Sequence, residues 1–428
     1  MPEPVVITGM GIHTPLGTEL DAFLGSLLAG RSAISRWTSV PTEAIYAKVG
    51  GDLGEVDFDG LRDAVATELP DEVVVRLRRL MGRAPWGTRL SMLTAARAAV
   101  DARWFDDGPD RDDCAVVVAG HNLNNRYIRA NHRDFDDDPE WIDGLFSLHG
   151  LDTDHAGSVS EVLGCRGAIY TTGGACASGN HALRSAVDEI RHHGATAAMV
   201  VGAALDMSIV DLQGMALMGA ISTRSFNDRP RAASRPFDTR REGFVPTHGA
   251  GALVLEPLST ARARGARIYA EVVAVEASAD GNHLPNPSED GQARLFQRVL
   301  RAAGLAPSDI DFICAHATST PLGDITEARS IRRAFGVHAD KLAINAPKSL
   351  LGHTCWSAPV VETVAAVLQM NAGQLHGSAN IDELDPRIEL DVCADGPREL
   401  SVTHCLNNSF GFGGINAVAV LRHPGELA

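Results

Sequence analysis

Four short stretches carry the side chains able to do chemistry. The first, TTGGACASGNH (171–181), holds Cys176 among residues of little bulk. Free cysteines are among the most buried residue types, so Cys176 reads either as a small core filler or as a nucleophile. AIYTTGG before it reads as a strand and GNHALRSAVDEIRHH after it as a helix. That puts the thiol near a helix N-terminus, where partial positive charge favours thiolate and predicts a lowered pKa. Gly173, Gly174 and Ala175 permit a tight turn, leave space for an incoming acyl group, and offer backbone N–H groups to an oxyanion.

In FICAHATSTPLGD, His316 follows a short strand directly, and the C-terminal ends of strands carry ligands in open α/β sheets. Asp324 would open the next helix, and Thr318 and Thr320 either face a ligand together or are turn hydroxyls. In INAPKSLLGHTCWSAPVVETV, Lys348, His353 and Glu362 fall between a short strand and a helix. They could form a buried Lys–Glu pair that holds a histidine, or a solvated arrangement. LNNSFGFGGINAVAVL supplies Phe410, Gly411, Phe412, Gly413 and Gly414, a flexible loop or a plain turn between strands. It lacks the GxGxxG spacing before a helix, so no dinucleotide site is expected.

These residues sit at the ends of recognisable elements. VVITG (5–9), CAVVVAG (114–120), AIYTTG (168–173), AAMVVGAA (197–204), GALVLEP (251–257) and IYAEVVAVEASAD (268–280) read as strands, several apolar on both faces. ELDAFLGSLLAG, RLSMLTAARAAVDA, GNHALRSAVDEIRHHG, ARLFQRVLRAAG, DITEARSIRRAFG and PVVETVAAVLQMNAG read as helices, several ending at glycine. The alternation predicts an α/β layered fold. A shared pattern of strand, polar turn, TPLG and acidic helix start, near residue 5 and again near 311–331, suggests two duplicated halves, 1–262 and 263–428. Residues 121–160 are polar, aromatic and poorly periodic, which predicts a long functional or interface loop.

Composition bounds the rest. The 428 residues are 45% hydrophobic and 21% charged, ordinary globular usage, with a net charge of −16 that disfavours nucleic acid and anionic membranes as partners. Seven cysteines without CxxC pairs predict neither a metal site nor a disulfide framework. No signal peptide and no membrane span are expected, which points to the cytoplasm. Only Lys48, Lys341 and Lys348 among 38 basic residues are lysine, so a lysine here marks a specific need more than an arginine does.

Taken together, a thiol, two histidines, a lysine, a glutamate and a glycine loop, in this order over nearly the whole chain, resemble the β-ketoacyl synthase family of the thiolase fold. The likeness is to the elongating bacterial β-ketoacyl-ACP synthases and polyketide ketosynthases, and it passes through AASRPFDTRREGF, GAGALVLEP and ARARGARIYAEVV. The resemblance implies two α/β halves in an αβαβα arrangement. It makes Cys176 the acyl-accepting nucleophile, with its own N–H and that of Phe412 as oxyanion hole. His316 and His353 would bind the malonyl thioester carbonyl, Lys348 and Glu362 would order the site, and Thr318 and Thr320 would contact the pantetheine arm. Phe412 would be the gate of the loop that also carries Phe410. No cofactor is implied, since substrates ride on an acyl carrier protein. That carrier is acidic, so RLRRLMGR, with Arg76, Arg78, Arg79 and Arg83, is its candidate docking patch or else a solvated helical face. A homodimer built on the N-terminal half is implied, a heterodimer with a second ketosynthase-like chain being the alternative.

Four departures from the family pattern bear on specificity. Gly174 stands where threonine is common. CWSAPVVE replaces a small-residue run after the histidine and adds Trp356 and Pro359. HNLNNRY replaces a glycine-rich turn and makes His121, Asn122, Asn124 and Asn125 candidates, with Trp356, for the acyl pocket. Thr247–His248 replaces an acid-containing turn. They predict a pocket more polar or crowded than one for long saturated chains, and a specialised polyketide pathway. Two other readings remain: a malonyl-ACP decarboxylase, although such enzymes usually replace the cysteine, and a non-catalytic partner of the chain-length-factor kind, which lacks it.

Overall fold

The computed structural model describes residues 3–282 and 286–427. Its ten longest-range strands are β1 (Val5–His13), β2 (Cys114–Ala119), β3 (Ile169–Thr172), β4 (Ala197–Gly202), β5 (Ala250–Pro257), β6 (Ala270–Ala279), β7 (Phe312–Cys314), β8 (Ala343–Asn345), β9 (His404–Gly411) and β10 (Ile415–Arg422). They run in the order β8-β7-β9-β10-β6-β1-β5-β4-β2-β3. The order is a palindrome about the β6–β1 junction. In the first half β1 pairs antiparallel with β5, β5 antiparallel with β4, and β4 and β3 parallel with β2. In the second, β6 pairs antiparallel with β10, β10 antiparallel with β9, and β9 and β8 parallel with β7. The fold is therefore duplicated.

The TPLG repeat does not mark equivalent positions in the two halves. Thr14–Gly17 follows β1, whose counterpart is β6, whereas Thr320–Gly323 follows β7, whose counterpart is β2. A four-residue turn recurs more readily than a whole strand–helix frame, and the frame is what the duplication preserves.

Six helices complete the layers: α1 (Trp86–Asp101), α2 (Thr153–Leu163), α3 (Ser178–His193), α4 (Glu289–Ala303), α5 (Gly323–Phe335) and α6 (Ala358–Ala372). Helices α3 and α6 lie in the middle, each packed on strands of both halves; α1 covers β1 and β5 outside, and α4 covers β6 and β10. This is an αβαβα arrangement. The middle layer explains α6: every residue from Ala358 to Met370 is buried, as befits a helix apolar all round. The outer layer explains two glycines of β1. A Cβ on Gly9 would lie 2.4 Å from the Ala98 carbonyl oxygen, and one on Gly11 2.3 Å from that of Thr94, so only glycine lets α1 sit this close.

Residues 121–160 are not the long loop their composition suggests. They contain a helix, Asn125–Asp137, a turn at Pro139–Trp141, a short helix, Phe146–His149, and the start of α2. Asn131 alone is buried on the first of these, so no apolar stripe announces the helix.

Candidate active site

The nucleophile turn is built by its small residues. After β3, Gly173 and Gly174 lead into a 3-10 turn, Ala175–Ala177, that runs into α3. Ala175 holds φ at +48°, a costly conformation for a residue with a Cβ. Ser178 staples the turn: its Oγ accepts from Gly174 N at 2.8 Å and donates to Ala175 O at 2.7 Å. The glycine loop after β9 lies against it. A Cβ on Gly411 would be 2.7 Å from Gly174 O and 3.2 Å from Cys176 N.

Cys176 is 5% exposed. Burial pushes its thiol up to about 11, opposed by the Lys348 charge, the N–H of Phe412 and its own N–H. The expectation of a lowered pKa is thus overturned. The Lys348 charge and the two N–H groups act in the expected direction, but removal from water is the larger effect. The N–H groups of Cys176 and Phe412 do converge on the sulfur, as a pair able to hold an oxyanion must.

His316 leaves the end of β7 with its backbone pinned. Its N–H and that of Ala317 donate to the two oxygens of Glu327 on α5, at 2.9 and 2.7 Å, and Asn408 Nδ2 donates to the same carboxylate at 2.9 Å. Lys348 Nζ lies 3.4 Å from His316 Nδ1 and 2.5 Å from Glu362 Oε1, with lysine and glutamate 1% and 2% exposed. The Lys–Glu pair is therefore buried. An ammonium at Nδ1 makes that nitrogen the acceptor and leaves the ring proton on Nε2. Burial raises Glu362 to about 7, against the pull of Lys348.

His353 follows Gly352, and its backbone bridges to the segment 245–247: His353 N donates to Val245 O at 2.8 Å and Thr247 N donates to His353 O at 2.9 Å. Its ring meets Phe244 edge-on at 5.1 Å and His316 at 5.5 Å. Both its ring nitrogens are buried without a partner among the described residues. Burial, then the Lys348 charge, hold both histidines well below the ordinary imidazole value, so both are neutral near pH 7.

The ligand atoms of Cys176, His316 and His353 all lie within 4.8 Å of one another. A thiol and two imidazoles could hold zinc, but the Lys348 cation beside His316 opposes a divalent ion there. The three open on a cavity of about 360 Å³ also lined by Thr318, Thr320, Phe410, Phe412, Phe244 and Glu327. The Thr318 and Thr320 hydroxyls are 3.1 Å apart. Glu327 and Asn408 escaped the sequence reading; the signal was a second acid three residues after Asp324, which places two carboxylates on one face of α5.

The other candidates stand elsewhere. His121, Asn122, Asn124, Asn125 and Trp356 do not line this cavity. Two of the side chains are committed to structure, and Asn122 is exposed with its backbone held. The backbone N–H of Asn122 donates to Asp152, Asn124 Nδ2 donates to His149 O, and Asn125 Nδ2 donates to Asp211 Oδ1. His121 and Trp356, distant in sequence, stack with ring centroids 4.4 Å apart. His248 is buried between Trp37 and Trp86 and faces Asp52 at 3.4 Å. Of the arginines, none lines the cavity; Arg76 donates to Val162 O, Arg79 pairs with Glu161, and Arg78 and Arg83 are exposed.

Comparison with known proteins agrees with this architecture. Residues 2–261 match the β-ketoacyl synthase N-terminal domain and residues 269–382 the C-terminal domain. The chain is 32% identical to 3-oxoacyl-[acyl-carrier-protein] synthase 2 of Coxiella burnetii, over 97% of this chain and 98% of that one. It is 30% identical to the polyketide biosynthesis malonyl-ACP decarboxylase PksF of Bacillus subtilis, over 99% and 97%. The solved structure of the ishigamide ketosynthase/chain length factor superposes with a TM-score of 0.87 at 28% identity, covering 99% of this chain and all of that one. Matched in both halves and along its full length, the chain belongs to the β-ketoacyl synthase family of acyltransferases.

Proposed function

We propose that the protein condenses a Cys176-bound acyl group with a malonyl group carried on an acyl carrier protein, in a specialised polyketide pathway. The observation that carries this reading is the convergence of the Cys176 sulfur with the His316 and His353 nitrogens, within 4.8 Å, on one cavity. Cys176 attacks an acyl thioester; the carrier thiol leaves with the proton, and an acyl–Cys176 thioester remains. Malonyl thioester then enters beside the histidines. Its C–C bond to the carboxylate breaks, CO2 leaves, and the electron pair becomes an enolate whose oxygen the two imidazole N–H groups hold. Neutral histidines suit this role, since they donate without a charge that would have to be desolvated. The enolate carbon attacks the acyl carbonyl, whose oxygen sits between the N–H groups of Cys176 and Phe412. Collapse releases a 3-oxoacyl thioester on the carrier, and Cys176 sulfur regains a proton. Lys348 holds His316 in its donor tautomer, and Glu362 balances the Lys348 charge. Thr318 and Thr320 suit the amides of a pantetheine arm, and no cofactor is needed.

The carrier protein is the partner this chemistry requires, and in the basic patch Arg78 and Arg83 are exposed, whereas Arg79 pairs with Glu161. A homodimer through the first half is supported by edge strand β3 and by exposed Ile169, Phe135, Trp141, Leu148 and Leu151. Seven buried, unpaired thiols fit a reducing cytoplasm, and among the described residues no helix is long and apolar enough to cross a membrane.

Likeness to a protein named as a malonyl-ACP decarboxylase favours one second reading. There the enolate takes a proton, and acetyl thioester and CO2 leave without a Cys176 adduct. A non-catalytic role would leave the Cys176, His316, His353 and Lys348 constellation without a use. Product analysis decides: with acyl- and malonyl-carrier thioesters, condensation predicts a 3-oxoacyl carrier that disappears in Cys176→Ala. Acetyl carrier alone, formed equally well by Cys176→Ala, would overturn it.

A further inference from the structure

We propose that the stacked rings of His121 and Trp356 wall off the side of Cys176 opposite the malonyl cavity, and restrict its acyl group to a short chain of about acetyl size. The inference rests on the acylation of Cys176 proposed above and names the substrate class of that site.

Besides the glycine loop, the thiol has two sets of neighbours. One is His316 and His353, which line the cavity; the other is the turn Cys355–Ser357, which packs on the nucleophile turn and does not line it. Because malonyl must occupy the histidine side, an acyl chain on Cys176 has to extend the other way. Duplication decides what it meets. Cys355, with φ +57°, opens a 3-10 turn into α6 just as Ala175, with φ +48°, opens one into α3. Trp356 therefore occupies in the second half the place that Cys176 takes in the first, and the two turns are packed together across the middle layer.

Trp356 packs on two apolar clusters at once, one with Met92, Leu123 and Ala203, the other with Leu205, Met207 and Phe244. Its indole N–H has no partner among the described residues, so the wall uses its bulk. His121 covers its face at 4.4 Å and an interplanar angle of 24°, and the other edge of that imidazole meets the nucleophile turn: a Cβ on Gly173 would lie 3.1 Å from His121 Cδ2. The two rings thus span the gap from residue 173 to residue 356.

Neither end of this wall is loose. The N–H groups of Asn122 and Leu123 both donate to Asp152, at 2.9 and 2.8 Å, and Asp206 N donates to Leu123 O at 2.9 Å. On the other side Ser357 Oγ donates to Gly249 O at 2.7 Å. A wall pinned at both ends excludes a long chain by its shape, and each methylene that does not fit costs about tenfold or more in rate.

The test is the rate of Cys176 acylation by acetyl, butyryl, hexanoyl and octanoyl pantetheine thioesters, read by intact-protein mass spectrometry. Iodoacetamide labelling in parallel shows that the thiol of each protein is accessible. Wild-type protein is expected to take acetyl at least about tenfold faster than hexanoyl, and Trp356→Ala to raise the hexanoyl-to-acetyl ratio by a similar factor. His121→Ala makes the same comparison from the other ring and serves if the first variant does not fold. Equal rates for acetyl and octanoyl in the wild type would overturn the wall while leaving Cys176 as nucleophile. If iodoacetamide labels Cys176 but no acyl donor does, the nucleophile assignment falls and the wall falls with it.

Discussion

Replacing Lys348 by methionine strands the Glu362 carboxylate in the middle layer. The two groups are 2.5 Å apart, and both are almost wholly buried. Removing one partner of such a pair costs about 3–5 kcal/mol. The cost of keeping the acid neutral can be worked independently. The stranded acid escapes by taking a proton, and with an ordinary value of 4.5 for Glu, protonation at pH 7 costs about 3.4 kcal/mol, at about 1.4 kcal/mol per pH unit. Glu362 already stands near 7 with Lys348 present, so in the variant it is neutral at pH 7. The sign follows: a carboxyl raised in the folded state contributes stability that is complete below 4.5 and is lost as pH rises toward its folded value. For the variant that folded value lies above 7. Counted against wild type, whose Glu362 already titrates near 7, the stranded acid adds only about 0.4 kcal/mol to the loss at pH 7 but about 2 kcal/mol at pH 8.5, so the loss from Lys348→Met should grow with pH over that range. Adding Glu362→Leu removes the stranded acid and should recover most of that added loss at pH 8.5. Urea unfolding of wild type, single and double variants at the two pH values measures this. An equal loss at both pH values, or a double variant no more stable than the single one, would refute the reasoning.

Three further outcomes are expected. Iodoacetamide alkylation of Cys176 should rise about tenfold per pH unit from 7 to 10, because the thiol titrates near 11; Glu362→Gln should accelerate it, and a plateau by pH 8 would contradict the burial argument. Glu327→Ala leaves the N–H groups of His316 and Ala317 and the Asn408 amide without their acceptor. At roughly 1–3 kcal/mol for each stranded donor, it should cost at least about 3 kcal/mol by urea unfolding, and a loss under about 1 kcal/mol would contradict it. Gly411→Ala drives a methyl against Gly174 O and displaces the glycine loop from the nucleophile turn. Condensation should fall at least about tenfold while circular dichroism is unchanged, on the scale of losing one oxyanion donor; wild-type turnover would contradict it.

Chemistry-bearing residues at strand ends were the part of the site most legible in the sequence. Cys176, His316 and Lys348 each come shortly after the C-terminal end of a short strand, β3, β7 and β8, and that local pattern announces them; His353 follows the short helix Lys348–Leu351 instead. What needed three dimensions was anything that depends on surroundings. The Cys176 pKa follows how deeply the middle layer buries the turn, which no local signal reports. Asn124 and Asn125 have the composition of a polar pocket lining, yet their amides are used by His149 O and Asp211. The helix Asn125–Asp137 has no apolar face to betray it. His121 and Trp356, the two departures that stood farthest apart, prove to touch.

A single-turnover experiment reaches the central proposal. Protein is acetylated on Cys176 by an acetyl thioester, freed of excess donor, and mixed with malonyl carrier protein while intact masses of both are followed. Condensation predicts loss of the Cys176 adduct at the rate at which acetoacetyl carrier and one equivalent of CO2 appear. Persistence of the adduct while malonyl carrier is converted to acetyl carrier would contradict it.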